Sequence, residues 1–487
     1  MIGGGIAGLG AALALARQGH ELTVLERDAT ALPATPVEAF EKWERRGAPQ
    51  VRHSHAFLAR LRNGLRDRAP DVLEMLLETG AEELPFAGLA PPTMLDRDPR
   101  PGDDDLVMLA CRRITFEWVL RRIVTEERGV TFLDGAEVVG LEVANGSAGA
   151  PRVSGLRIRR GSRGAESRTA DLVVDAGGRR SRLPRWLEAA GLRRPPEERE
   201  PCGIFYCSRF FRLRPGVSPP EGDTTIGADL GYIKYAIFHG DSHIFSVTLA
   251  ASPEDAPLRA LLRTEPFEAA SAALPAIAAW TERAEPITDV HGMADLHNAR
   301  RPTVDDDGPV ATGLVALGDA AVHTNPLYGR GCTLALVHAW LLADAVAAHG
   351  VEGEALPLAF EEATRREILP WYELSRRQDR DAIEVARLYA RGQEPAEPVQ
   401  GSGPVDPRAW MRSVVRHGLV PALRSDADVA RAFFRSFNCL VPPADLMRDP
   451  VILQKVLAFY QSRGEREEPR LGPTRAGMLE RLRSGAA

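Results

Sequence analysis

IGGGIAGLGAALALARQGHELTVLER, residues 2–27, is the stretch whose reading decides the fold. Gly3, Gly5 and Gly8 stand in the spacing GxGxxG. Residues 9–17 read as an Ala-rich helix, Gly19 ends it, and residues 21–25 read as a strand with Glu26 at its end. A glycine turn running into a helix leaves free N–H groups and a positive dipole end for a diphosphate. An acid about 20 positions on is placed to accept from ribose hydroxyls. GxGxxG alone is weak; with helix, strand and terminal acid in order it is a dinucleotide-binding fingerprint. The strand that should precede Gly3 is reduced to Met1 and Ile2. A central strand without its residues would leave neighbouring backbone groups unpaired, so the pattern expects either a start further upstream or a fold that tolerates the stub.

The second informative stretch lies far downstream, GLVALGDAAVHTNPLYGRGCTLALVHAWLLADAVAA at 313–348. It reads as a buried strand at 314–317, a Gly-Asp turn, an extended crossing through Asn325 and Pro326, and a Gly-rich entry into a helix. Gly329 and Gly331 let backbone approach a ligand closely. Leu334, Leu336, Val337, Trp340, Leu341 and Val346 give that helix a broad apolar face. Asp319, at a strand end, is placed for sugar hydroxyls. A third strand end comes at 170–187, ADLVVDAGGRRSRLPRWL, with Asp175 closing a buried strand at 172–174 before a Gly-Gly turn. Such ends gather at the carboxyl edge of a doubly wound sheet.

Between these, GAPQVRHSHAFLARLRNGL ends the Pro-punctuated segment 28–60. His53 and His55 share a face if the chain there is extended, and Arg52 is a natural partner for phosphate or carboxylate. Residues 71–84 read as an amphipathic helix and 85–105 as a loop. CRRITFEWVLRR (111–122) reads as a helix opened by Arg112 and Arg113, an order that opposes the helix dipole unless one arginine faces an anion. Short strands with Gly- and Ser-rich turns follow over 130–168. The aromatic stretches 203–213 and 224–250 read as antiparallel strands of a separate sheet, suited to an apolar pocket or to sheet packing alone. Residues 253–283 read as helical, 285–302 lead back through a strand, and 351–487 are mostly helical around a Pro/Gly linker at 394–408.

The chain has 487 residues, 44% hydrophobic and 26% charged, a globular composition with room for two or three domains. A net charge of −6 argues against a nucleic-acid partner. The basic residues are almost all arginine; the lysines are Lys42, Lys234 and Lys455. Five scattered cysteines and no histidine pair to complete a metal site point to reduced thiols, no metal and a cytoplasmic setting. The first residues are Gly-rich rather than basic and then apolar, so no signal peptide is expected. The longest apolar run, around 334–348, is interrupted by His338 and Asp344, so no membrane span is expected.

Taken together, these motifs resemble the FAD-dependent monooxygenase superfamily of the aromatic-hydroxylase fold. GGGIAG with Glu26 looks like its first FAD motif and GDAAVHTNPLYGRG like its second. Pro49, Gln50, Arg52, His53 and His55 match a PQ-x-RH-x-H segment of one subgroup; Arg113 with Phe116-Glu117, and Asn438, Leu440, Pro442 and Pro443, match two more. The resemblance implies an α/β fold: a Rossmann-type FAD-binding domain split between 1–190 and 301–350, a mixed-sheet substrate domain at 191–300, mainly antiparallel, and a helical C-terminal region at 351–487. It implies an FAD site drawn from Gly3, Gly5, Ile6, Ala7, Gly8, Glu26, Arg27, Arg52, Arg113, Asp175, Gly318, Asp319, Pro326, Gly329, Gly331 and Cys332. His53, His55 and Tyr328 are weak catalytic candidates, with His323 near the flavin by position. The activity implied is oxygen transfer from molecular oxygen to an apolar small molecule through a flavin hydroperoxide, of the kind used in secondary metabolism. One departure bears on the electron source. Gly177 stands where hydroxylases of this fold carry an aspartate implicated in FAD and NAD(P)H binding, and VVDAGGRRSRLP looks more like the halogenase, epoxidase and reductase branches. Either NAD(P)H or a partner flavin reductase would supply electrons. The alternatives are a flavin-dependent reductase of prenyl or polyketide double bonds, a halogenase (its Trp-x-Trp-x-x-Pro motif is absent), and a non-catalytic binding protein.

Overall fold

A computed structural model describes the chain except residues 92–93, 146–150, 163, 195, 221–226, 396–405, 467–470 and 485–487. Parts of the expected 130–168 turns, the start of the 224–250 strands and most of the 394–408 linker lie outside the described residues.

The first layer is a parallel sheet built around the N-terminal stub. Leu22–Glu26 pairs with Val130–Asp134, and Val173–Asp175 pairs with Leu314–Ala316, both parallel. Ile2 bridges the two pairs, between Leu25 and Asp175. Its N–H donates to Val174 O at 2.8 Å, Ala176 N donates to Ile2 O at 2.9 Å, and Leu25 N donates to Met1 O at 2.9 Å. The stub is thus tied to both neighbouring strands through Met1 and Ile2. The helix Ile6–Ala16 covers one face and packs on Gly331–His349 so closely that a Cβ at Gly10 would stand 2.4 Å from Leu336 Cδ2.

That second helix corrects another expectation. By length and composition Gly331–His349 could cross a membrane, but most of its apolar window is buried inside the protein against the first helix. His338 does not interrupt it, since both ring nitrogens find partners in the core.

The second layer is an antiparallel sheet ordered Gly227–Asp229, Ile233–His239, Ile244–Ala251, Phe205–Leu213 and Ala284–Pro286, with His291–Met293 also beside Phe205–Leu213. Alternation divides its residues. Phe205, Cys207 and Phe211 pack with Phe245 and Trp280 into a core of their own, while Tyr206 and Ser208 face the other way. A small antiparallel sheet of Glu198–Pro201, His297–Arg300 and Val322–His323 ties the layers together.

Between Ala355 and Ser484 the described residues are mostly helical. Leu369–Ala390 lies against the crossing segment, and Arg475–Ser484 returns to the second sheet, where Met478 is fully buried and Arg475 pairs with Asp255 at 2.7 Å. Residues 71–84 are not one helix: Pro70–Glu78 is helical, but Gly80 turns with φ 95° and Glu82–Pro85 becomes a strand paired with Val107–Ala110. Phe86–Leu89 adds a single helical turn inside the expected loop.

Candidate active site

The carboxyl ends of the parallel strands and the outer face of the second sheet share one cavity of about 580 Å³. Two helices open on it by their N-termini. Neither Ile6–Ala16 nor Gly331–His349 has a side-chain cap or an acid in its first turn, so their first N–H groups remain available to a ligand. Gly5 and Gly331 line the cavity, and a Cβ added at either meets nothing within 4 Å. The backbone is thus bare on the side where a ligand would lie. Gly3 takes the left-handed conformation, φ 94°, with a Cβ forced to 2.6 Å from Ala176 O. Two uncapped, bare helix starts facing one cavity fit FAD, the first for its diphosphate and the second for the electron-rich edge of its ring.

The acids at the three strand ends differ in what they have left to offer. Glu26 is buried and accepts from Gly4 N at 3.2 Å, Asp28 N at 3.0 Å and Arg45 at 3.2 Å. A carboxylate has about four acceptor sites, which leaves room for one hydroxyl. Asp175 is bound up in its own turn: it accepts from Gly177 N at 2.9 Å and from Ser181 Oγ, and burial raises its pKa. Among the described residues the Asp319 carboxylate meets only the His323 ring, at 4.0 Å, and it lines the cavity. Asp319 is therefore the most available acceptor of the three.

Ile6, Ala7, Glu26, Arg27, Pro326, Gly329 and Cys332 also line the cavity. Burial pushes the Cys332 thiol up to about 11, which keeps it protonated despite its place at a helix start. Gly8 and Gly318 lie beneath the wall. A Cβ at Gly8 would stand 2.0 Å from Gly3 O, and one at Gly318 2.7 Å from Ala7 Cβ. Arg52 is turned away from the cavity and donates to Phe40 O at 3.1 Å. The two arginines at the helix start are both buried and both paired within the protein. Arg112 holds Asp241, and Arg113, which lines the cavity, donates to Glu117 at 2.9 Å while its Nε has no partner.

His53 and His55 are not on one extended strand. Pro49–Arg52 forms a 3₁₀ turn that sinks His53 into the protein and leaves His55 on the cavity wall. His55 Nδ1 lies 3.0 Å from His53 O, so it carries the proton and Nε2 is the acceptor. Burial drives the His53 pKa down to about 3, with His291 and Arg179 pushing the same way. His53 Nδ1 lies 3.3 Å from Ser208 Oγ, which meets Thr248 Oγ1 at 2.8 Å; Thr248 in turn donates to Ser54 on the cavity wall at 2.7 Å. Tyr328 lines the cavity with its ring, and its hydroxyl donates to Asp379 at 2.8 Å.

Two residues that organise the site escape a sequence reading. Arg45 is buried among Glu26, Asp28 and Glu117 and also donates to Gly4 O at 3.1 Å. Asp379, from the helix Leu369–Ala390, accepts from Asn298 at 2.6 Å, Asn325 at 2.8 Å and Tyr328, which pins the 325–328 segment of the cavity wall. Neither sits in a motif. Their partners lie tens of positions away or more, so only the folded chain brings them together.

Residues 1–35 match the family model of an NAD(P)-binding Rossmann-like domain. Over 377 residues, 72% of each chain, the sequence is 30% identical to Protein Rv3254 of Mycobacterium tuberculosis. The fold is similar to that of the flavin-dependent brominase Bmp2, with TM-score 0.60 and 16% identity over 95% of this chain and 98% of that one. It is also similar to PqsL, a probable FAD-dependent monooxygenase from Pseudomonas aeruginosa, with TM-score 0.52 and 17% identity over 81% of this chain and 95% of that one.

Proposed function

This chain belongs to the family of Protein Rv3254 and has the fold of the FAD-dependent monooxygenase superfamily, and from that premise we infer that it is an FAD-dependent monooxygenase acting on an apolar small molecule. The observation that carries the reading is the pair of uncapped helix starts, with bare Gly5 and Gly331, facing a cavity whose far wall is the second sheet. Bound FAD would supply the redox chemistry, taking electrons from NAD(P)H or a partner reductase and delivering them to dioxygen. The chain's own residues have simpler tasks. The first-turn N–H groups after Gly5 hold the diphosphate, with Glu26 and Asp319 accepting from sugar and ribityl hydroxyls. The helix start at Gly331 stabilises negative charge on the ring's edge. Tyr235, Phe238, Leu327 and Phe437 give the substrate end apolar walls that exclude water.

The engaged state of Asp175, with glycine at 177, favours an external reductase over direct nicotinamide use. Halogenation is the second reading. The resemblance implies a tunnel lysine for a halogenase; Lys42 is exposed beside Glu38 and does not line the cavity, whereas Lys234 does line it but is paired with Asp229. The deciding experiment starts from purified protein that is yellow with bound FAD. Substrate-stimulated dioxygen uptake, with NAD(P)H alone or with an added flavin reductase, supports the monooxygenase. Turnover without oxygen consumption points to a reductase, halide incorporation to a halogenase, and colourless protein that refuses FAD overturns the reading.

A further inference from the structure

Most cations on the cavity wall are neutralised by the protein. Arg45 faces Glu26, Asp28 and Glu117; Arg113 faces Glu117; Arg182 faces Glu137; Lys234 faces Asp229. Arg27 and Arg180 are exposed at the rim, whereas Arg179 is half-buried. Its Nη1 and Nη2 each lie 3.5 Å from Met293 Sδ, and among the described residues no carboxylate comes within ion-pair distance of it. The Tyr206 hydroxyl donates to the same sulfur at 3.0 Å. Tyr206 and Met293 are paired across neighbouring strands, while Arg179 comes from the turn after Val173–Asp175. All three line the cavity at the seam between the cofactor layer and the second sheet.

A thioether is a weak acceptor, whereas a guanidinium and a phenol are strong donors. Two strong donors converging on one weak acceptor in a cavity wall leave most of their hydrogen-bonding capacity unused, and an oxyanion would use it. The surroundings keep that charge in place. Burial pushes the Tyr206 phenol up to about 12, so the hydroxyl keeps its proton near neutrality. The rings of His53 and His323 are driven towards the neutral form by burial first and by Arg179 among the rest, and burial lowers His291 as well. Beside this pair, Ala228, Ala236, Phe238 and Leu327 give the sheet side of the cavity apolar surface.

We propose that Arg179 and Tyr206 bind the acidic group, a carboxylate or phenolate oxygen, of an otherwise apolar substrate, displacing the Met293 sulfur as their acceptor. This rests on reading the cavity's sheet side as a flavoenzyme's substrate chamber. The test compares 2-naphthoate with 2-naphthamide, which share a ring system and differ in charge, by isothermal titration of the protein as isolated. FAD content and affinity are measured separately. Charge-assisted bonds to two donors should favour the acid by about tenfold or more. Arg179→Gln should abolish that preference and Tyr206→Phe should reduce it, both with FAD affinity unchanged. Equal binding of the two probes, or a preference that survives Arg179→Gln, overturns the proposal. So does loss of FAD in Arg179→Gln, which would give the arginine to the cofactor. Wild-type protein that takes no FAD yet prefers the acid would sink the flavin reading and leave the anion site standing.

Discussion

Arg45 shows how much one residue can hold. Its guanidinium is buried among three carboxylates, and it also fixes Gly4 O in the turn that faces the cavity. Burial raises the Glu117 pKa, but the guanidiniums of Arg45 and Arg113 outweigh that and hold it below the ordinary value of 4.5. A carboxyl with a depressed folded pKa contributes stability that is present above 4.5 and is lost as the pH falls through its folded value. Arg45→Met reverses the sign. Glu26 and Asp28 are left without their cation and Glu117 keeps only Arg113, so these buried carboxylates cost stability whenever they are ionised. At neutral pH the variant should be less stable by about 3–5 kcal/mol. The gap to wild type, read from denaturant melts, should close as the pH is lowered through the carboxylate range. A gap independent of pH would mean that Arg45 acts by packing alone.

At the scale of elements, the glycines of the two cavity-facing turns fall into two kinds, and they should fail differently. Gly8 is needed by the fold, since its Cβ would strike Gly3 O at 2.0 Å. Gly331 has open space beside it, and only a ligand would be displaced there. Gly8→Ala should therefore destabilise the protein without its cofactor by about 1–3 kcal/mol. Gly331→Val should leave that melting curve near wild type, yet weaken FAD by about tenfold or more and shift the midpoint potential of what remains bound. Flavin titration and thermal melting of both variants check this; if Gly331→Val melts like wild type and binds FAD like wild type, the helix start does not face the ring. These elements were legible because their signals are local. GxGxxG, the strand ends at Glu26, Asp175 and Asp319, and the apolar helix at 331–349 are each written in a short window. The same window misled at 71–84, where apolar spacing continued past Gly80 but the backbone reversed to pair with Val107–Ala110. What could not be read was the converse: Arg45, Arg179 and Asp379 carry no local pattern, and their roles exist only through partners distant in sequence.

The whole molecule is closed by its far end. The helix Ala59–Arg68 has no cap of its own residues; Ala59 N donates to Asn438 Oδ1 at 2.9 Å and Arg60 N to Asn438 O at 3.3 Å. Asn438 is buried, and its amide also donates to Phe434 O at 2.9 Å. Asn438→Ala should cost about 1 kcal/mol, the usual worth of a helix N-cap, in a thermal or denaturant melt. No loss would mean that the tail only rests on this helix. The contact between the helix Ile6–Ala16 and Gly331–His349 has a consequence for how the protein is made. At about 5–20 residues per second, the second helix leaves the ribosome roughly 15–60 s after the first. Through that interval the apolar helix Ile6–Ala16 waits without the helix that packs on it. Truncated chains ending before Gly331 should bind a hydrophobic dye and aggregate, whereas the full chain should not. Flavin present during translation would find no pocket to occupy. Loading should reach the same level whether FAD is supplied throughout synthesis or only after release, which makes the cofactor a guest of the finished chain rather than a template for the growing one.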